Sequence, residues 1–160
     1  MDPDTAPLEE LVDATDAVFA GADLANASAP RASLRRVELD GCRLTGVDLR
    51  EATLVDVTFA DCRLDLANLR FARLERVVFR DCRMRECDLL ETQVDDVLFE
   101  RCELVDATLV GVRVRRVELR GCDLEGVRGI ESLRGVRMPW QDVVANAPIF
   151  ASALGIEIAD

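Results

Sequence analysis

ASLRR VELDG CRLTG VDLRE ATLVD VTFAD CRLDL ANLRF ARLER VVFRD CRMRE CDLLE TQVDD VLFER CELVD ATLVG VRVRR VELRG CDLEG is the chain from Ala32 to Gly126, cut into fives without an insertion. The third residue of every unit, from Leu34 to Leu124, is Leu, Phe, Met or Val; the first is Ala, Val, Cys or Thr; the other three are mostly polar. The frame extends backwards through AVFAG (17–21), ADLAN (22–26) and the weaker ASAPR (27–31), where Ala29 stands in for the large residue. Twenty-two units from Ala17 to Gly126 therefore share one register.

A period of five fits neither a helix of 3.6 residues per turn nor a strand alternation of two. It fits a short extended step followed by a corner. Residues one and three then point to the same side, as in a strand, and residues four and five turn the chain. Four corners close a square, and the closure number is visible as a second period of twenty. Cys42, Cys62, Cys82, Cys102 and Cys122 fall in one column, and Val37, Val57, Val77, Val97 and Val117 in another. Phe19, Leu39, Phe59, Phe79, Phe99 and Leu119 fill a third, and Leu49, Leu69, Leu89 and Leu109 a fourth. The expected fold class is an all-β solenoid, a quadrilateral parallel β-helix of about 5.5 coils, with coils ~4.8 Å apart and a rod of roughly 26 Å.

ADLAN, ANLRF and CDLLE match the pattern Ala-Asp/Asn-Leu-X-X, and on these units the chain resembles the pentapeptide-repeat family over about two thirds of its length. The resemblance implies a right-handed helix, the hand also expected of parallel crossovers. It implies pairing of two copies through a C-terminal helical region. It also raises a function, because gyrase-protecting members are acidic rods that resemble duplex DNA and occupy the DNA site of a type II topoisomerase.

Both ends of a stacked coil need covering. The expected organisation is an N-terminal cap (1–16), the repeat body (17–126), and a decaying last coil with a helical cap and dimerisation segment (127–160) in one structural domain. In the N-terminal cap, Pro7 followed by LEELV reads as a short helix, with Asp4 or Thr5 before it and Glu9 and Glu10 in its first turn. At the other end Gly129 takes the place of the central Leu, and PWQDVVAN (139–146) and PIFASALG (148–155) read as short helices. Trp140, Val143, Val144, Ile149, Phe150 and Leu154 exceed what one coil end needs for cover and are the candidate homodimer contact.

Composition removes most chemistry. Among 160 residues there is no His and no Tyr, and all 20 basic residues are Arg. No Ser-His or Cys-His pair, imidazole ligand or catalytic lysine can be assembled. A carboxylate pair remains a formal option only, so the chain reads as no enzyme, with no cofactor, metal or small-molecule substrate. The five cysteines at a spacing of twenty sit at inward first positions, as does Cys87, and read as small buried hydrophobes. Their ~4.8 Å spacing exceeds the usual Cβ separation of a disulfide. The acidic start, MDPDTAPLEELVDATD, has no basic or apolar leader region, and no stretch is apolar for ~18 residues, so a cytoplasmic, non-membrane protein is expected.

The net charge of −11 is unevenly spread: residues 1–31 carry seven acids and one Arg, residues 32–126 twenty acids and sixteen Arg. Direct nucleic-acid binding is disfavoured by the acidic total. The face with Arg35, Arg36, Arg73, Arg76, Arg113, Arg115 and Arg116 is net positive, opposed only by Asp56, Glu75, Asp95 and Asp96. Outward apolar residues mark the candidate partner surface. They are Phe71, Leu90 and Val110 on one face with Leu66 at its edge, and Val78 under Leu98 on another.

Overall fold

A computed structural model describes residues 10–160. Its strands are β1 (Asp13–Ala20), β2 (Ser33–Asp40), β3 (Thr53–Ala60), β4 (Arg73–Arg80), β5 (Gln93–Glu100) and β6 (Arg113–Arg120). They form one parallel sheet in sequence order, and each residue lies beside the one twenty later, as Val37 beside Val57 and Phe59 beside Phe79. This is the β-helix expected from the double period. The faces are named below for the residues that open them: Ala32, Val37, Cys42 and Val47.

Each strand runs over two faces, Ala32 and Val37, whereas the other two carry single parallel bridges such as Arg43 with Arg63 and Asp48 with Asn68. The corners explain the difference. Val47 N donates to Leu44 O at 3.0 Å and Ala52 N to Leu49 O at 3.1 Å, so these corners are closed turns that interrupt the strand. The bend between Leu39 and Cys42 has no such turn bond. All corners share one backbone device. From Asp16 to Gly126 every fifth residue has a positive φ, between 51° and 72°, and seventeen of these residues are not Gly. The left-handed conformation costs an L-residue about 1–2 kcal/mol and is worst for β-branched side chains. Accordingly, no Val, Ile, Thr or Pro occupies a fifth position anywhere in the body.

First and third residues make the core. Leu34, Leu54 and Leu74 on the Ala32 face and Leu39, Phe59 and Phe79 on the Val37 face are buried, as are all six cysteines, which are free thiols. The cysteine column has a hydrogen-bonding role as well as a packing one. Cys42 Sγ donates to the Phe19 carbonyl one coil below at 3.3 Å, and Cys62, Cys82, Cys102 and Cys122 repeat this with Leu39, Phe59, Phe79 and Phe99. On the Ala32 face, the buried Thr92 hydroxyl makes the same step to Leu69 O at 2.7 Å. In the Cys42 column and at Thr92 the first-slot thiol or hydroxyl thus ties adjacent coils, where Ala only fills space. Burial pushes the Cys87 thiol well above its usual range, so it is no nucleophile at neutral pH.

The ends depart from the expected boundaries. Pro7, Asp4, Thr5 and Glu9 lie outside the described residues; Glu10 to Val12 are helical, and Leu11 plugs the first coil. The ladder already begins at Asp13, inside the stretch read as a cap, because VDATD (12–16) is a repeat unit with Ala14 in its central slot. At the other end the coil continues past Gly126, with bridges from Thr108 to Arg128 and from Glu118 to Arg137. Gly129 (φ 82°) lets the chain press against the backbone of Leu109 and Val110, and Ile130, opening the 3-10 turn Ile130–Leu133, is buried in its stead. Two helices follow, α1 (Trp140–Ala145) and α2 (Ala147–Ala153), close to the two Pro-initiated segments. The Asp142 carboxylate accepts from Gly121 N at 2.7 Å and fastens α1 to the last full coil.

On the Ala32 face the central column narrows from Leu74 to Val94 and Val114, and a cavity of about 20 Å³ lined by these valines, Leu89, Phe99 and Leu133 results. A wholly apolar void stays dry. Replacing Val94 by Leu is expected to fill it and raise stability by about 0.8 kcal/mol, read as a higher urea midpoint at unchanged slope; a lower midpoint would mean the space is too short for the extra methylene.

Candidate functional site

Burial takes the core columns out of any functional role. Among the described residues no three His, Cys, Asp or Glu side chains form a metal-binding group, and the two buried polar residues, Thr92 and Asn146, both hydrogen-bond to backbone carbonyls. Function is left to the outer surface and the ends.

The expected apolar patch is partly assembled. Phe71 sits in a left-handed corner position, 48% exposed, and donates its N–H to Leu90 O one coil above; Glu91 N continues the ladder to Val110 O. Phe71, Leu90 and Val110 therefore climb one corner of the rod in three successive coils. Leu66, 56% exposed, is on the opposite corner of the same face, a face-width away. The Arg70 guanidinium lies 5.7 Å from the Phe71 ring centre, so one side of that ring is covered by a cation. Val78 and Leu98 are half-buried in a shallow groove between the side chains of Arg76, Asp96, Arg116 and Arg137.

The C-terminal set divides in two. Ile149 and Phe150 pack against the core and act as the cap, and Val143 is half-buried. Trp140, Val144 and Leu154 face outwards, joined by Ile156 and Ile158, which the sequence reading passed over. The alternation in LGIEIAD (154–160) is the signal in the sequence that marks them.

Charges are ordered more tightly than net charge conveys. The fifth column of the Ala32 face reads Asp16, Arg36, Asp56, Arg76, Asp96, Arg116, alternating in sign at each coil. Arg36 grips Asp16 through Nε and Nη2 at 2.6 and 3.1 Å, Arg76 grips Asp56 at 2.7 and 3.2 Å, and Arg101 on another corner grips Asp81 at 2.7 and 3.0 Å. In each, the Arg reaches one coil down. The guanidinium holds each carboxyl below its usual range. All are exposed, so their individual worth is small. The linkage has a definite sign: a carboxylate with a depressed folded pKa stabilises fully above the unfolded value and loses that contribution as pH falls through the folded one. The urea midpoint is therefore expected to be flat between about pH 5 and 8 and to fall below about pH 4; a midpoint that rises on acidification would contradict these pairs.

The pentapeptide repeat region model matches residues 12–77 and 53–128, most of the chain. This protein belongs to the pentapeptide repeat family. No curated protein matches it. Solved structures of pentapeptide repeat proteins are similar over most of their length. Rfr23 from the cyanobacterium Cyanothece 51142 is 17% identical, with 86% of this chain and 94% of that one covered and a TM-score of 0.40. QnrB1, a plasmid-mediated fluoroquinolone resistance protein, is 13% identical, with 90% and 100% covered and a TM-score of 0.47. A pentapeptide repeat protein of the Arabidopsis thaliana thylakoid lumen is 14% identical, with 83% and 76% covered and a TM-score of 0.37.

Proposed function

We propose that this pentapeptide repeat protein is a non-enzymatic interaction module that binds another protein through the Phe71 corner. One observation carries the reading: in a body whose outward positions are otherwise mostly charged, Phe71, Leu90 and Val110 stack in successive coils, with Phe71 and Val110 well exposed. Apolar residues grouped in this way mark contact surfaces. The C-terminal residues Trp140, Val144 and Leu154 supply a second apolar surface, fitted to the end-to-end pairing of two copies that the family resemblance implies.

The gyrase reading rests on a different surface, an acidic stripe that would stand in for duplex DNA. Here the acids of the body are interleaved with Arg at one-coil spacing, which breaks such a stripe. A supercoiling assay with purified gyrase separates the readings. The corner reading expects unchanged supercoiling at micromolar protein, and capture of a host protein that is lost in Phe71→Asp; inhibition that persists in Phe71→Asp would instead support topoisomerase modulation.

A further inference from the structure

The Ala32 face carries a charge pattern that is its own complement when reversed. Six coils stack on it without offset, so its outward positions form straight columns, the alternating fifth column running along the corner that this face shares with the Val37 face. A two-fold axis lying in the face, across the rod, sets a second copy antiparallel with each column against itself and coil one against coil six. Six alternating charges read backwards are inverted. Asp16 then meets Arg116 of the second copy, Arg36 meets Asp96, and Asp56 meets Arg76.

The other columns of the face obey the same rule. Asp13 meets Arg113, and Arg35 meets Asp95, while Thr15, Ser33, Thr53 and Val55 face the remaining charged or polar residues, so no like charges oppose each other. Among the described residues Asp13, Arg35, Asp96 and Arg113 have no ion-pair partner within the chain. The antiparallel pairing supplies all four. Alternatives are penalised. A parallel two-fold pairing of this face would oppose Arg113 to Arg116 and Asp13 to Asp16. The antiparallel operation on the Val37 face opposes Asp61 to Asp81, and on the Cys42 face Arg63 to Arg83.

We propose that the Ala32 face is a self-association surface on which two copies of this chain pack antiparallel, held in register by the alternating Asp–Arg column. The face measures about 29 Å by about 10 Å, small for a specific interface. Its charges select partner, orientation and register more than they supply affinity. The association is weak and salt-sensitive, unlike pairing through the apolar C-terminal end.

Charge reversal tests it, because the two ends of the column lie on different coils. In Asp16→Arg the introduced guanidinium would face Arg116 of the second copy, and in Arg116→Asp the introduced carboxylate would face Asp16. Each variant alone is therefore expected to sediment without the salt-sensitive dimer. An equimolar mixture restores it, since the reversed charges then oppose each other. The wild type should lose the same species between about 20 mM and about 0.5 M salt. Both positions are exposed, and unchanged circular dichroism and thermal midpoints verify the fold. Separately, Thr15→Cys mixed with Arg115→Cys should cross-link on oxidation at low salt; within one chain these positions are five coils apart. The proposal is overturned if each variant associates like wild type, if mixing restores nothing, if no cross-link forms, or if the dimer survives high salt and both reversals, which would place it at the C-terminal end.

Discussion

Phe79→Ala is expected to lower the stability of the protein by about 3–5 kcal/mol, the range for removing a fully buried ring. Phe59, Phe79 and Phe99 stack along the axis with ring centres 4.8 and 5.0 Å apart and planes within 5° and 6° of parallel. The coil rise sets this spacing, which falls within the range where aromatic pairs add to their area burial. Alanine in the middle of the stack removes both ring contacts at once and leaves a void in a narrow core that cannot close from the side, because ladder bonds fix every coil. In urea the loss should appear as an early transition at unchanged secondary structure content below it. Phe59→Ala should cost less than Phe79→Ala, since only one ring neighbours Phe59. Equal losses would show that the stack contributes nothing beyond burial.

Gly129→Ala is the second large effect. A Cβ there would lie 2.5 Å from Val110 N, 2.7 Å from Val110 Cα and 2.8 Å from the Leu109 carbonyl carbon, all backbone atoms that no rotamer change can move. The residue is also left-handed, with φ 82°. Strain and overpacking each contribute about 1–3 kcal/mol, so a loss of roughly 3 kcal/mol is expected, confined to the last coil. Hydrogen exchange should quicken over Val127 to Ala153 and leave β2 to β4 protected. Gly21→Ala is the control: it has φ 63° and open space around its Cβ, so only the conformational term of about 1 kcal/mol applies. If the two variants are equally stable, close backbone approach is not why Gly stands at 129.

The body of the fold was readable because a coil length of twenty makes sequence neighbours and spatial neighbours the same problem. Once Cys42 and Cys62 are aligned, so are Phe59 with Phe79 and Asp16 with Arg36. The ends were less readable for a physical reason: they lack that repetition. VDATD reads as part of a cap because Ala14 fills a slot normally occupied by Leu, and only the pairing of Ala14 with Leu34 identifies it as a repeat unit. Gly129 read as decay of the repeat, whereas it marks a close backbone approach that shifts the core position to Ile130. At the surface, net charge overstated the continuous acidic stripe that a DNA-binding partner would meet, because carboxylates such as Asp56 and Asp81 each lie beside an Arg from the coil above.

The alternating column gives coil number a consequence beyond length. Six members, beginning with Asp and ending with Arg, read as their own opposite when reversed. Seven would begin and end on the same charge and read identically in both directions, so like would face like throughout. Adding a single twenty-residue coil that continues the alternation would preserve every core slot and every turn, yet convert an attractive face into a repulsive one. Adding two would restore it. In this protein, parity is a surface property.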